Sequence, residues 1–334
     1  MYEMNVEKQY RSMIDRIAGA LLIFIVLSNM LSLIGIGLNQ LWGLYMEGIA
    51  SDILSSVTEG IVYILSFMLP VCFFRLMSRN KLSEPMKLSP RLPRAVFAYV
   101  LAGMAVIRAA AYLNFYMISF SNYSEFAAEN LWMDTYDTPH AIILSFITMG
   151  IIPAFVEEFL FRGLIQSNLR PFGRGVAIVG SAVLFGLMHQ NIQQIFYATV
   201  AGLVLGYLYE VTDSIWCGIL LHLFNNGFSV LESAVSARWN AAAAEQVCTL
   251  AEGAIFGLGA ACLIWLICRK KDEPDFTNGY FEQNLPMSSD YAAFDLQGSR
   301  KVKLFFSPLM NAYVALCIST MITYFVWALV TYGA

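Results

Sequence analysis

Three stretches between residues 157 and 226 set ionisable and carboxamide side chains inside apolar sequence: Glu157-Glu158-Phe-Leu-Phe-Arg162, Phe185-Gly-Leu-Met-His189 and His222-Leu-Phe-Asn-Asn226. Two of the chain's three histidines lie in that set. An ionisable group inside a membrane-spanning run costs several kcal/mol to insert, so it needs a partner or a water-filled cavity and marks a functional candidate. Glu158 and Arg162 are four residues apart; on a helix they share a face and neutralise each other. Glu157 is rotated about 100° from Glu158 and lacks that cation. It is therefore a carboxylate that can accept a proton or ligate a metal. His222 and Asn226 also stand at i,i+4, and an imidazole and a carboxamide on one face can donate two hydrogen bonds to a developing oxyanion. Phe185 reads as packing, and His140, beside Pro139, as interfacial.

The elements that carry these residues follow from composition. Of 334 residues, 58% are apolar and 13% charged, with mean hydropathy +0.61; a soluble domain is about 25% charged. The chain reads as an all-α, polytopic membrane helix bundle, a single membrane domain over 1–334. A net charge of −4 and a pI near 5.5 exclude a dedicated nucleic-acid partner. The six cysteines fall mostly in apolar runs with no CxxC, which points to packing and neither to disulfides nor to a cysteine zinc site.

At about 20 apolar residues per crossing, nine spans are expected, at about 17–38, 53–74, 95–118, 141–169, 175–190, 194–211, 214–232, 250–268 and 304–331. The motifs lie in core helices 141–232, a polar loop follows at 269–303, and 304–331 is the C-terminal span. The N-terminus is a polar stretch ending at Arg16, and the apolar run after it is too long for a signal-peptide core. Placing it in the cytoplasm puts eighteen of twenty basic residues on that side, from Lys8 to Lys303. The opposite loops carry Arg238 alone, and the third-to-fourth loop holds Glu125, Glu129, Asp134 and Asp137. The positive-inside rule then gives a cytoplasmic N-terminus and an outer C-terminus. The remaining cation, Arg108, falls within the third span and must face protein or water; Glu59 is one candidate partner.

Depth bears on whether the motifs can meet. Glu157 precedes Pro171 by fourteen residues and His189 follows Arg174 by fifteen, so both sit about 20 Å along antiparallel helices. His222 and Asn226, about 12 and 18 Å along theirs, are at compatible levels. No internal repeat of the kind common in transporters is apparent.

In this order on successive helices, EExxxR, FxxxH and HxxxN resemble the CPBP family, also called Abi or CAAX-protease-like, which includes the type II prenyl-protein endopeptidases. The surroundings EEFLFRG at 157–163, FGLMH at 185–189 and GLVLGYLYEVTDSIWCGILLHLFNN at 202–226 extend the resemblance over roughly 147–230. It implies an intramembrane endopeptidase whose helical core encloses a cavity open to the cytoplasm. Glu157 would act with His189 to activate a water, His222 and Asn226 would form the oxyanion site, and Glu158, Arg162 and Phe185 would support them. The family has been described both as metal-independent glutamate proteases and as metalloproteases. In the second scheme zinc would be held by Glu157, His189 and His222 with water in the fourth position. The implied partners are a peptide or lipidated-protein substrate and the lipid bilayer, in an integral, multi-pass protein of a prokaryotic cell membrane. The competing reading is a protein that binds a membrane peptide without cleaving it, of the bacteriocin-immunity type.

Overall fold

The structure is a computed structural model that describes residues 2–77, 86–88, 92–119, 138–269, 305 and 307–332. The polar stretches at 120–137 and 270–304, including nearly all of the expected loop 269–303, lie outside the described residues. Those described form nine helical rods and no strand. They are α1 (Tyr2–Tyr45), α2 (Ile49–Met77), α3 (Val96–Ser119), α4 (Pro139–Leu169), α5 (Arg174–Met188), α6 (Ile192–Thr212), α7 (Ile215–Arg238), α8 (Ala241–Cys268) and α9 (Pro308–Tyr332). Each overlaps one of the nine expected spans. Six of them, α1–α4, α6 and α8, are both long and apolar enough to cross a membrane. Helix α5 has 15 residues, short of the about 17 that a bilayer crossing requires, and α7 interrupts its apolar sequence with His222, Asn225, Asn226, Glu232 and Arg238. The chain is a polytopic helical membrane bundle.

Local signals set the rod ends. Thr138 caps α4 by accepting from the Ala141 N–H at 3.3 Å, with Pro139 in the first turn where its missing N–H is not needed. Ser214 and Asn240 cap α7 and α8 in the same way. Gly173, at φ 120°, lets the chain reverse between α4 and α5.

The polar N-terminal stretch is itself helical and continuous with the first span, since α1 begins at Tyr2. Tyr10, Met13, Ile14 and Ile17 are spaced to form one apolar stripe and are all buried. Tyr10 packs edge-on against Phe172 in the α4–α5 turn, with ring centroids 4.2 Å apart. This ties the start of α1 to the end of the bundle that holds Arg170 and Arg174. The α2–α3 linker joins the same end: the Lys87 carbonyl accepts from Ile215 N–H at 3.1 Å, and its ammonium pairs with Asp213. Arg170 there pairs with Glu210 at 3.2 Å, and Arg269 donates to Tyr99 at 2.8 Å. At the opposite end His140 contacts Asp52 at 2.9 Å.

One side of the bundle packs α1, α2, α4, α5 and α9 around Leu21, Phe67, Phe161 and Tyr313; the other packs α3, α6 and α7 around Ile107, Leu205 and Leu221. Helices α5 and α6 touch so closely that a Cβ on Gly202 would lie 2.9 Å from the Ala182 Cα. Small residues at such crossings let backbones approach where water supplies no drive to associate. Arg108 is satisfied by residues other than Glu59. It bonds Glu252, donates to Glu232 at 2.7 Å, and lies with its guanidinium 5.0 Å above the Phe228 ring. Glu59 instead accepts from Asn39 at 3.2 Å. Sequence distance hid the true partners, since both are more than 120 residues from Arg108.

Candidate active site

Helix α4 is not α-helical throughout. Two π-helical segments, Phe146–Ile151 and Phe159–Gln166, flank the α-helical stretch that carries Glu157 and Glu158. Pro153 contributes to the first: it has no N–H to bring to the carbonyl four residues back, that of Met149. The carboxamide of Asn226 on α7 donates to that carbonyl at 3.0 Å. π segments of this kind recur at functional sites. Here they redirect the side chains on either side of the two glutamates.

Glu158 and Arg162 form the expected i,i+4 pair, Nη1 to Oε1 at 2.8 Å, and both side chains are fully buried. Arg162 also donates Nη2 to the Gly202 carbonyl at 3.1 Å and lies 4.8 Å above the Phe185 ring. Gly218 on α7 makes room for Glu158, since a Cβ there would meet Oε2 at 2.9 Å. Phe185 is an aromatic hub. Besides Arg162 it meets His189 and His222 edge-on, with centroids 5.1 and 6.0 Å apart. Its backbone carbonyl accepts from His189 Nδ1 at 2.8 Å. The FxxxH spacing is thus that of a side chain bonding back one helical turn. Because a carbonyl only accepts, Nδ1 carries the proton and Nε2 keeps its lone pair when the ring is neutral.

His222 bridges the two glutamates. Its Nδ1 is 3.2 Å from Glu158 Oε1 and its Nε2 is 3.8 Å from Glu157 Oε2. Glu157 is 4% exposed. Its Oε1 accepts from the Tyr63 hydroxyl on α2, whereas Oε2 has no hydrogen-bond partner among the described residues. Beside Asn226, Asn225 donates to the Tyr197 hydroxyl at 2.7 Å and to Asn226 Oδ1 at 3.2 Å.

Glu157, Phe185, His189, His222 and Asn226 all line one cavity of about 400 Å³, mouth included, whose other walls include Ile107, Tyr197, Ala201 and Asn225. Of the two histidines, His222 is the one within 4 Å of Glu157, and His189 lines the same cavity. Among the described residues, no group of three His, Cys, Asp or Glu side chains is arranged to hold a metal ion, so Glu157, His189 and His222 do not form a ligand set in this geometry.

Three site residues escaped the sequence reading: Tyr63, Tyr197 and Asn225. Asn225 adjoins a motif residue. Tyr63 and Tyr197 are two among seventeen tyrosines, and only the rule that a buried hydroxyl finds a partner marks them out.

Comparison with known proteins agrees with the motifs. Residues 139–228 match the family described as Type II CAAX prenyl endopeptidase Rce1-like. The chain is 30% identical over 99 residues to "Putative membrane peptidase YdiL" of Bacillus subtilis (strain 168). That match covers 28% of this chain and 39% of the relative. No solved structure matches.

Proposed function

We propose that this protein, whose residues 139–228 match the Rce1-like family, is an intramembrane endopeptidase with Glu157 as its general base. The supporting observation is the Glu157 carboxylate itself. Oε1 is anchored by Tyr63, while Oε2 is buried without a hydrogen bond from any described residue, beside a cavity that also holds His189 and His222. A water hydrogen-bonded to Oε2 and to the His189 Nε2 lone pair gives up a proton to Glu157 as it attacks a peptide carbonyl. Glu157 then returns that proton to the leaving amine; a positioned general acid–base of this kind contributes about 10²–10⁴ in rate. The second N–H of Asn226, and His222 Nε2 when it carries a proton, would donate to the oxyanion. Glu158 and Arg162 fix His222 from behind, through the Nδ1 contact at 3.2 Å.

The zinc scheme would use Glu157, His189 and His222. Their arrangement does not fit a three-ligand site. The substrate is a peptide or a lipidated-protein tail presented at the bilayer, reached from the end bearing Arg170, Lys87 and Arg269, which charge asymmetry assigns to the cytoplasm.

The test uses full-length protein in liposomes and a pool of quenched fluorescent peptides. Glu157→Ala and His189→Ala should lose cleavage while still binding the peptides that wild type cleaves. Wild-type cleavage by both variants overturns the assignment. Binding without cleavage by wild type supports the non-catalytic reading, and loss on chelation with rescue by Zn²⁺ supports the metal scheme.

A further inference from the structure

The oxyanion site read from the motif is depleted of donors. One N–H of Asn226 goes to the Met149 carbonyl at 3.0 Å. His222 Nδ1 faces Glu158 at 3.2 Å, and its Nε2 donates only when it carries a proton. Both N–H groups of Asn225 are spent, one on the Tyr197 oxygen at 2.7 Å and one on Asn226 Oδ1 at 3.2 Å.

The direction of this relay is fixed from its far end. The Met149 carbonyl can only accept, so the amide nitrogen of Asn226 must face it and Oδ1 must face Asn225. That oxygen can only accept in turn, so Asn225 presents its nitrogen, and the same nitrogen donates to Tyr197. Turning either carboxamide over would set two acceptors against each other. The Tyr197 oxygen is therefore an acceptor in this bond, and its own O–H remains to be donated. Among the described residues that proton has no acceptor, and Tyr197 lines the cavity shared by Glu157, His189 and His222.

We propose that the Tyr197 hydroxyl is a catalytic oxyanion donor, aimed through Asn225 and Asn226 from the Met149 carbonyl. The step moves no proton: the O–H bond stays intact and strengthens its hydrogen bond as the substrate carbonyl oxygen gains negative charge. No change in protonation is needed, unlike donation from His222. Asn225 acts through Tyr197 and is a positioning residue. Pro153, which lacks the N–H that an α-helix would direct to Met149, belongs to the same device.

This inference rests on the peptidase reading, and the experiment separates the two. Wild type, Glu157→Ala and Tyr197→Phe are compared in liposomes on a quenched peptide from the cleaved pool, and for binding of a phosphinic isostere of that peptide. Tyr197→Phe should lower kcat by about 10²–10³, as removal of one oxyanion donor does. KM and uncleaved-peptide binding should be unchanged, and isostere affinity should fall by the same factor as kcat/KM. Retention of kcat within a few-fold, or equal loss of peptide and isostere binding, overturns it. Incorporation of 3,5-difluorotyrosine at position 197 keeps the ring and the acceptor even if the Phe variant folds poorly. Its more acidic phenol should make kcat fall at an alkaline pH where wild type is flat, and a flat profile overturns the inference. Absence of cleavage by wild type overturns the peptidase reading, and wild-type cleavage by Glu157→Ala overturns Glu157 as its base; an inactive Glu157→Ala beside an unimpaired Tyr197→Phe overturns the donor assignment alone.

Discussion

Two buried ion clusters in this molecule are built from the same residue types and differ in what they leave over. Between α3, α7 and α8, Arg108 divides its N–H groups between Glu232 and Glu252, so both carboxylates contact one guanidinium. At the cavity, Arg162 gives its N–H groups to Glu158 and to the backbone at Gly202, and none to Glu157. The first cluster bonds three helices to one another. The second withholds a cation from one carboxylate and sets it beside a cavity, with a tyrosine on one oxygen and a histidine near the other. Burial of charge alone does not mark a reactive site; uneven distribution of the compensating charge does.

The contrast can be broken in several ways. Glu157→Gln should reduce cleavage by about 10³, within the range of a lost general base. Glu252→Gln should leave the rate per folded molecule near wild type, and comparable losses in initial-rate assays would erase the distinction. Removing either arginine strands a buried carboxylate. Arg162→Met and Arg108→Met should each destabilise the fold by about 3–5 kcal/mol, read by thermal unfolding in detergent. Only Arg162→Met should also impair the rate per folded molecule, through His222.

Tyr63→Phe should lower kcat by about ten- to a hundredfold, the equivalent of a hydrogen bond to a charged group, with little change in unfolding temperature. The smallest effect concerns Lys87, outside the spans, whose pKa is lowered chiefly by burial and also by Arg170, against the pull of Asp213. A folded-state pKa below the unfolded value means that the unfolded chain holds more protons in the interval between them. Stability should therefore rise with pH across that interval, up to the ordinary lysine value near 10.5, and Lys87→Met should flatten the rise in a pH series of melts.

The sequence made the rods and the reactive helices legible because both depend on local pattern. Apolar runs placed nine helices, and i,i+4 spacing paired Glu158 with Arg162. Helix rise brought Glu157, His189 and His222 to compatible depth, and they line one cavity. Contacts that close over long separations were not legible. Tyr63 meets Glu157 across 94 residues, and Arg108 has two glutamates near it that no spacing rule selects over Glu59. The helical N-terminus of α1 was hidden because nine of its first sixteen residues are charged or carry an amide or hydroxyl (Asn, Gln, Ser), and its buried stripe of Tyr10, Met13 and Ile14 has meaning only once Phe172 is opposite. The first π segment of α4 follows from where Pro153 falls against Asn226 on α7, a relation between helices.

Glu157 as the base, held in register by Tyr63, is tested most directly by a double-mutant cycle in liposomes. Wild type, Tyr63→Phe, Glu157→Gln and the double variant are compared on one quenched peptide. If Tyr63 acts only through the Glu157 carboxylate, its loss should cost about ten- to a hundredfold in kcat in the wild-type background. In the Glu157→Gln background it should cost nothing further. Additive losses, or full activity in Glu157→Gln, would contradict the assignment of Glu157 as the group that takes the proton.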